Sequence, residues 1–309
     1  MRIIFFGTPE FAVPSLRKLI EAGHRILAVV TQPDKVKGRG HILSEPPVKA
    51  IAKQHELTVF QPKGIRSDEF RSTIMSYAPE LIIVVAYGKI IPPALLKIPQ
   101  YGCVNVHASL LPKYRGAAPI QWSIIGGEEK TGVTIMQMDK GLDTGDILQM
   151  ADTPIAHDDT AATLGARLSV MGADLLIATI DRIATGSLRP IPQQGAASYA
   201  PVLKKEDGCI DWERPARDIF NLVRGTYPWP GAYCYLSGER LAVLKSGIVE
   251  GRGLPGQIDK IQGDNVFVAT GDGLLVLAEV KPDGRKVMTA GAFARGRRLK
   301  EGAYFEKRI

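Results

Sequence analysis

Asn105 and His107 stand two residues apart in the run CVNVHASLLP. Side chains alternate across a strand, so this amide and imidazole share one face while Val104 and Val106 point to the other. Read alone, such a pair is a satisfied core histidine beside a turn-capping Asn. A second polar cluster shifts the reading: MDKGLDTGDI, residues 138–147, carries Asp139, Asp143 and Asp146 among Gly141, Thr144 and Gly145, residue types that permit tight turns or close approach. An amide donor, a titratable imidazole and a carboxylate at the exits of two predicted strands suit acyl transfer to an amine. Attack of an amine on a carbonyl creates an oxyanion that an amide N–H and a protonated imidazole can stabilise. The carboxylate can hold the imidazole and, through a water, take the proton the amine loses. No protein nucleophile is required, in keeping with a chain that has neither a Gly-x-Ser-x-Gly elbow nor a Cys–His pattern.

The elements that must position these groups are read from periodicity. IIFF, residues 26–31, TVFQ, residues 81–88, CVNVHA and residues 133–138 are apolar runs, several of them apolar on both faces as buried parallel strands are. Helical patterns fall at Pro9–Ala22, Pro47–His55 and Ser67–Tyr77, each with Pro, Ser or an acidic residue near its start. Such alternation predicts α/β architecture: a mostly parallel sheet covered on both faces, with its site at the carboxyl ends of the strands. A helical run follows over Thr160–Thr185, after which the composition changes. The expected division is a first domain over 1–189, a Pro- and Gly-rich linker over 190–208, and a smaller second domain over 209–309. Its short strands and Gly-containing turns predict a β barrel, for which the oligonucleotide-binding (OB-like) type is one candidate.

Composition narrows the classes. The 309 residues are 45% hydrophobic and 23% charged, ordinary for a globular chain with room for two cores. No apolar stretch is read as approaching the roughly 20 residues that span a bilayer, and MRIIFFGTPEF reads as strand and turn, so a cytoplasmic protein without a membrane partner is expected. Cys103, Cys209 and Cys234 are odd in number and show no CxxC spacing, so they read as core thiols, with neither a disulfide frame nor a metal site. The first βα turn, FFGTPEFAVPSL, has one Gly where a dinucleotide fingerprint needs three, and no Walker loop is present.

VNVHASLLPKYRGAAPIQW followed by MDKGLDTGDI resembles the formyltransferase family that uses 10-formyltetrahydrofolate, whose motif is Asn-x-His before SLLPxxxG and an Asp in a later LDTG loop. The resemblance implies a Rossmann-like first domain with Asn105, His107 and Asp143 as catalytic trio. It further implies Ser109, Leu110, Leu111 and Pro112 as a folate-contacting loop. Ala86, Tyr87, Gly88, Ile90 and Ile91, with Lys140, Gly141 and Leu142, would be walls of the pterin pocket. FFGTPEFAVPSL, SYAP and PWPGA extend the likeness nearly end to end, toward members whose acceptor is initiator methionyl-tRNA. A monomer is expected. The other readings are formylation of glycinamide ribonucleotide, which needs only the first domain; an amino-sugar formyltransferase or a 10-formyltetrahydrofolate hydrolase domain; and a non-catalytic RNA binder.

Two basic stretches bear on the acceptor. QPDKVKGRGHILSEPPVK, residues 32–49, is long for a βα connection and Gly-hinged. By resemblance it grips the acceptor end, with Arg39 as main contact beside Lys35 and Lys37. His41 and Ile42 stand where relatives often carry lysines. The last 29 residues hold nine Lys or Arg against three acids, and Arg295, Arg297 and Arg298 are expected to meet the RNA backbone.

Overall fold

The computed structural model describes residues 1–37 and 42–306. In chain order the elements begin with β1 (Arg2–Gly7), α1 (Val13–Glu21), β2 (Arg25–Val30), β3 (Lys35–Lys37), β4 (Ile42–Ser44), α2 (Pro47–Gln54), β5 (Val59–Phe60) and α3 (Asp68–Ser76). There follow β6 (Leu81–Val85), α4 (Pro93–Leu96), β7 (Cys103–His107), β8 (Arg115–Gly116), α5 (Pro119–Ile125), β9 (Lys130–Gln137), β10 (Ile147–Pro154), α6 (Ala161–Ala184) and β11 (Tyr199–Ala200). The last are α7 (Ala216–Thr226), β12 (Ala232–Leu236), β13 (Glu239–Val249), β14 (Ile258–Gln262), β15 (Asn265–Ala269), β16 (Leu274–Pro282), β17 (Met288–Thr289) and α8 (Ala290–Gly296).

The chain forms two compact units. The first takes residues 1–119, 130–154 and 165–200, the second residues 120–129, 155–164 and 201–309. The stretch read as linker is therefore divided, its first eleven residues belonging to the first unit.

In the first unit seven strands run in the order β10-β9-β7-β6-β1-β2-β5. The parallel part, β5 to β7, is the sheet expected from the doubly apolar runs; every residue of LIIVV in β6 is buried. Proline at the first helical positions starts α1, α2 and α4, and Ser67 caps α3 by accepting from the Phe70 N–H at 3.2 Å. Two features depart from expectation. β9 runs antiparallel to β7, and residues 147–154, not read as a strand, continue the sheet antiparallel as β10. The run predicted over 81–88 also stops at Val85, because Ala86 (φ +47°) and Gly88 (φ +84°) turn the chain.

One face of this sheet packs Ile4, Phe6, Val30, Ile82 and Cys103 against Phe70 and Ile74 of α3 and Leu95 of α4. On the other face α6 approaches closely: a Cβ on Gly172 would lie 2.9 Å from Val106, so a larger residue would push helix from sheet. At 24 residues, with an 18-residue window of mean hydropathy 1.4, α6 is long and apolar enough to cross a membrane, which corrects the expectation that no stretch comes near that length. Its pattern is that of a core helix: Leu168, Leu176 and Ile180 are buried, and Asp174 pairs with Lys18 of α1 at 2.7 Å.

In the second unit the sheet runs β12-β13-β16-β15-β14, with β17 on β16, all antiparallel. The expected barrel is not closed. β12 and β14 do not pair; residues of the 304–306 segment make single bridges at Tyr235 and Gln257 instead. The core is filled from outside the sheet by α7, a helix absent from the β-only expectation, through Ile219, Phe220 and Val223, and by Trp212 stacked on Phe305 at 5.5 Å.

Candidate active site

β7 delivers the pair. Cys103 lies in the core with its Sγ toward the Leu95 carbonyl at 3.9 Å; two residues on, Asn105 is half-buried, and two further His107 is 5% exposed. Val104 and Val106 are buried toward the α6 face, as the alternation requires. Among the described residues the Asn105 side-chain amide has no hydrogen-bond partner, whereas His107 is held on both sides. Its Nε2 is 3.0 Å from the Tyr114 carbonyl oxygen, an acceptor only, so Nε2 carries a proton. Its Nδ1 faces an Asp143 carboxylate oxygen at 3.6 Å. That separation exceeds a hydrogen bond, so among the described residues Nδ1 has no hydrogen-bond partner, only a carboxylate close by.

The strand directions make Asp143's position less obvious than the sequence suggested. With β9 antiparallel, Gln137 lies opposite Val104, so the loop after β9 leaves beside the amino end of β7 and not its exit. It must double back to reach His107. Asp139 nucleates the turn by accepting from the Gly141 N–H at 2.9 Å and from the Thr144 hydroxyl at 2.7 Å. Gly145 lets the returning chain lie against the Gln137 carbonyl, where any Cβ would collide. Asp143 itself takes φ +52°, a left-handed conformation that Asp tolerates better than most residues. Its carboxylate accepts from the Gly116 N–H at 2.8 Å, and Gly116, at φ +122°, is held to β11, where a Cβ would come within 2.6 Å of the Ala200 carbonyl oxygen.

The other expected pocket residues divide by burial. The Tyr87 ring packs edge-on to Phe6 at 5.2 Å, 1% exposed; its hydroxyl is buried without a partner among the described residues, and burial pushes it up to about 12. Ile91, Ser109 and Leu111 are likewise buried. Ser109 donates to the Lys113 carbonyl at 2.6 Å, and Thr134 donates to the Ser109 carbonyl at 2.7 Å and accepts from the Leu111 N–H at 3.2 Å, which fixes the turn after β7. The side chains of Tyr87, Ile91, Ser109 and Leu111 thus shape the site from behind. Ala86, Gly88, Ile90, Lys140, Gly141 and Leu142 are exposed, while Leu110 and Pro112 are half-buried.

Among the basic candidates, Lys35 is exposed, while Arg39 and the Lys37 side chain lie outside the described residues. Arg295 pairs with Asp264 at 3.4 Å and donates to the Gly263 carbonyl at 2.9 Å; Arg297 pairs with Glu239. Arg298 is exposed, with no ion pair among the described residues. The local excess of charge is therefore smaller than the sequence count. Cys103 and Cys234 are buried core thiols as expected, but Cys209 is only half-buried.

Sequence reasoning missed Tyr114, Arg115, Gly116 and Gln193, all of which brace the His107–Asp143 pair. Arg115 and Gly116 stood in plain view in KYRGAAP, but the signal that joins them to Asp143 is tertiary.

Residues 1–180 match the Formyl transferase family and residues 202–298 match the family described as Formyl transferase, C-terminal domain. The chain is 54% identical over 300 residues to the methionyl-tRNA formyltransferase of Thermodesulfovibrio yellowstonii, covering 97% of each chain. It is 52% identical to that of Citrifermentans bemidjiense, covering 100% of this chain and 97% of the other. In fold it is similar to an N-formyltransferase from Helicobacter canadensis solved with folinic acid and dTDP-3-aminofucose, with a TM-score of 0.68, 18% identity, and coverage of 90% of this chain and 99% of that one. The chain thus belongs to the formyl transferase family and, within it, to the methionyl-tRNA formyltransferases.

Proposed function

We propose that the protein transfers the formyl group of 10-formyltetrahydrofolate to the α-amino group of methionine on initiator methionyl-tRNA. The observation that carries this reading is a half-buried amide, Asn105, without a hydrogen-bond partner among the described residues, on the same strand face as an imidazole whose Nδ1 looks onto a carboxylate. Likeness over the whole chain to relatives of that name supports the acceptor.

Asn105 donates to the formyl oxygen as negative charge develops on it. His107, its Nε2–H committed to Tyr114, donates from Nδ1 to the same oxygen when protonated, and Asp143 stabilises that charged ring. The other Asp143 carboxylate oxygen, Oδ1, accepts, through a water, the proton that the attacking amine releases. The residues fit a folate. Ile90 and Leu142, 69% and 52% exposed in the loops after β6 and β9, are apolar surfaces that a flat pterin ring would cover. Register places Asn105 opposite Val84, so the turn at Ala86–Gly88 follows directly beside the trio's strand. For the acceptor, Lys35 and Arg298 are exposed charges available to phosphate, with Arg39, Arg295 and Arg297 as further contacts.

The test is to incubate the full chain with 10-formyltetrahydrofolate and, in turn, methionyl-tRNA, glycinamide ribonucleotide and a sugar amine. Formyl should appear on the methionine amine alone. Formylation of either other acceptor in its place, or simple hydrolysis of the donor, overturns the assignment.

A further inference from the structure

Between Arg189 and Ala197 the chain is exposed at every residue except one. The exception is Gln193, and its side chain spends all of its polar capacity on the site. Its Nε2 donates to the Asp143 carbonyl at 2.8 Å and to the Gly145 carbonyl at 2.8 Å. Its Oε1 accepts from Arg115 Nε at 3.2 Å and Nη2 at 2.6 Å. Only one orientation of the amide satisfies both sides, since two carbonyls require donors and a guanidinium requires an acceptor.

These four bonds tie together the two segments that hold His107. One is the doubled-back loop 139–146, which presents the Asp143 carboxylate to Nδ1; the other is 114–116, which presents the Tyr114 carbonyl to Nε2 and the Gly116 N–H to Asp143. No strand pairing joins the two segments; β8 in 114–116 pairs with β11 instead. The platform under Gln193 is itself anchored: Ile191 and Ile147 exchange both backbone hydrogen bonds, at 2.8 and 2.9 Å, Ser198 accepts from the Tyr114 N–H at 2.9 Å, and β11 pairs with β8. Asp143, in a left-handed conformation that costs about 1–2 kcal/mol for a residue with a Cβ, is thus held from its carbonyl as well as from its carboxylate.

We infer that Gln193 is a positioning residue for formyl transfer, a clamp that sets the Asp143–His107 geometry from a stretch whose composition reads as linker. The inference rests on the proposed trio. A misplacement of about 1 Å in such a constellation costs on the order of 100-fold in rate, so loss of the clamp should appear in chemistry and not in binding. Gln193→Leu, which keeps volume and removes all four bonds, should lower kcat by at least about tenfold while KM for donor and acceptor stay within about threefold. Gln193→Glu, which keeps the pairing to Arg115 but sets an oxygen against the two carbonyls, should be at least as severe.

The second readout needs no substrate. In protein labelled with 15N at its five histidines, the His107 ring resonances, identified by their loss in His107→Ala, should move in Gln193→Leu while the other histidines and the circular dichroism stay put. A kcat within twofold of wild type, a loss confined to KM, or a fall in kcat with unmoved His107 resonances would each overturn the inference. Should Gln193→Leu fail to fold, Arg115→Leu, which frees only Oε1, should show the same pattern more weakly, and unchanged kcat or unmoved His107 resonances there would overturn it equally. If wild type formylates no methionyl-tRNA, the proposed function fails, and the resonance measurement still decides whether Gln193 sets His107.

Discussion

His107 is 5% exposed, with an acceptor facing each ring nitrogen, whereas Arg298 lies exposed on the second unit with no ion pair among the described residues. Around the first, β7, residues 114–116, the loop 139–146 and Gln193 are joined by directed hydrogen bonds. Around the second, the chain supplies positive charge and little geometry. The contrast separates two ways of using polar residues. Chemistry on a formyl carbon needs donors held to within about 0.5 Å of where charge develops. Holding an RNA backbone needs summed charge that tolerates displacement and responds to salt. Damage to one region should therefore be abrupt and local, and damage to the other graded and additive.

The largest effects expected are at β7. His107→Ala and Asn105→Ala should each lower turnover by at least about 100-fold, since one oxyanion donor is commonly worth about 2.7–4 kcal/mol. Turnover within a few-fold of wild type in a folded variant, by formylation assay with circular dichroism, would place this region beside the basic one in kind. Asp143→Asn comes next. Asn tolerates the left-handed φ of +52° and its oxygen can still accept from Gly116, so the backbone should hold while the charge facing Nδ1 disappears. Turnover should fall steeply with affinity for a folate analogue, measured by calorimetry, largely kept. Equal loss of both would make Asp143 a wall of the pocket.

Intermediate effects belong to the second unit. Methionyl-tRNA affinity should weaken with salt at a log–log slope of about 0.7–0.9 per phosphate neutralised. The unpaired arginine sharpens the comparison: Arg298→Ala should flatten that slope more than Arg297→Ala or Arg295→Ala, because those two already spend charge on Glu239 and Asp264. A salt-independent affinity, or three equal slopes, would contradict this ranking.

The smallest effect is on thiols and does not touch activity. Cys103 and Cys234 are buried, and burial pushes the Cys103 thiol up to about 12 and Cys234 higher as well, so thiolate is scarce at both. Native protein should react with a disulfide reagent at Cys209 first, and at all three only in denaturant. Rapid native reaction of Cys103 would mean that α4 does not cover the strand that carries the trio.

Much of this was legible in the amino acids because it depends on local periodicity. Doubly apolar runs predicted β1, β2 and β6, the apolar run CVNVHA predicted β7, and a two-residue spacing put Asn105 and His107 on one face; composition marked 138–147 as a polar turn, and the family resemblance singled out Asp143 within it. Even the core thiols Cys103 and Cys234 followed from burial preference. What the chain could not declare locally was direction and partnership. Nothing in an apolar run says whether it pairs parallel or antiparallel, and only the sheet shows that β9 runs antiparallel on the edge of β7 away from β6. For that reason the loop carrying Asp143 has to double back, and its return is secured by Gly116 and Gln193, the latter 50 residues away in sequence. Charge shows the same division: nine basic residues in the last 29 are a property of the sequence, but which of them are already neutralised depends on Asp264, in the turn between β14 and β15, and Glu239, the first residue of β13. The amino acids determined the chemistry available and the strand that bears it. The tertiary structure decided which oxygen faces each nitrogen, because hydrogen-bond partners distant in sequence are chosen only when the sheet has set their distances.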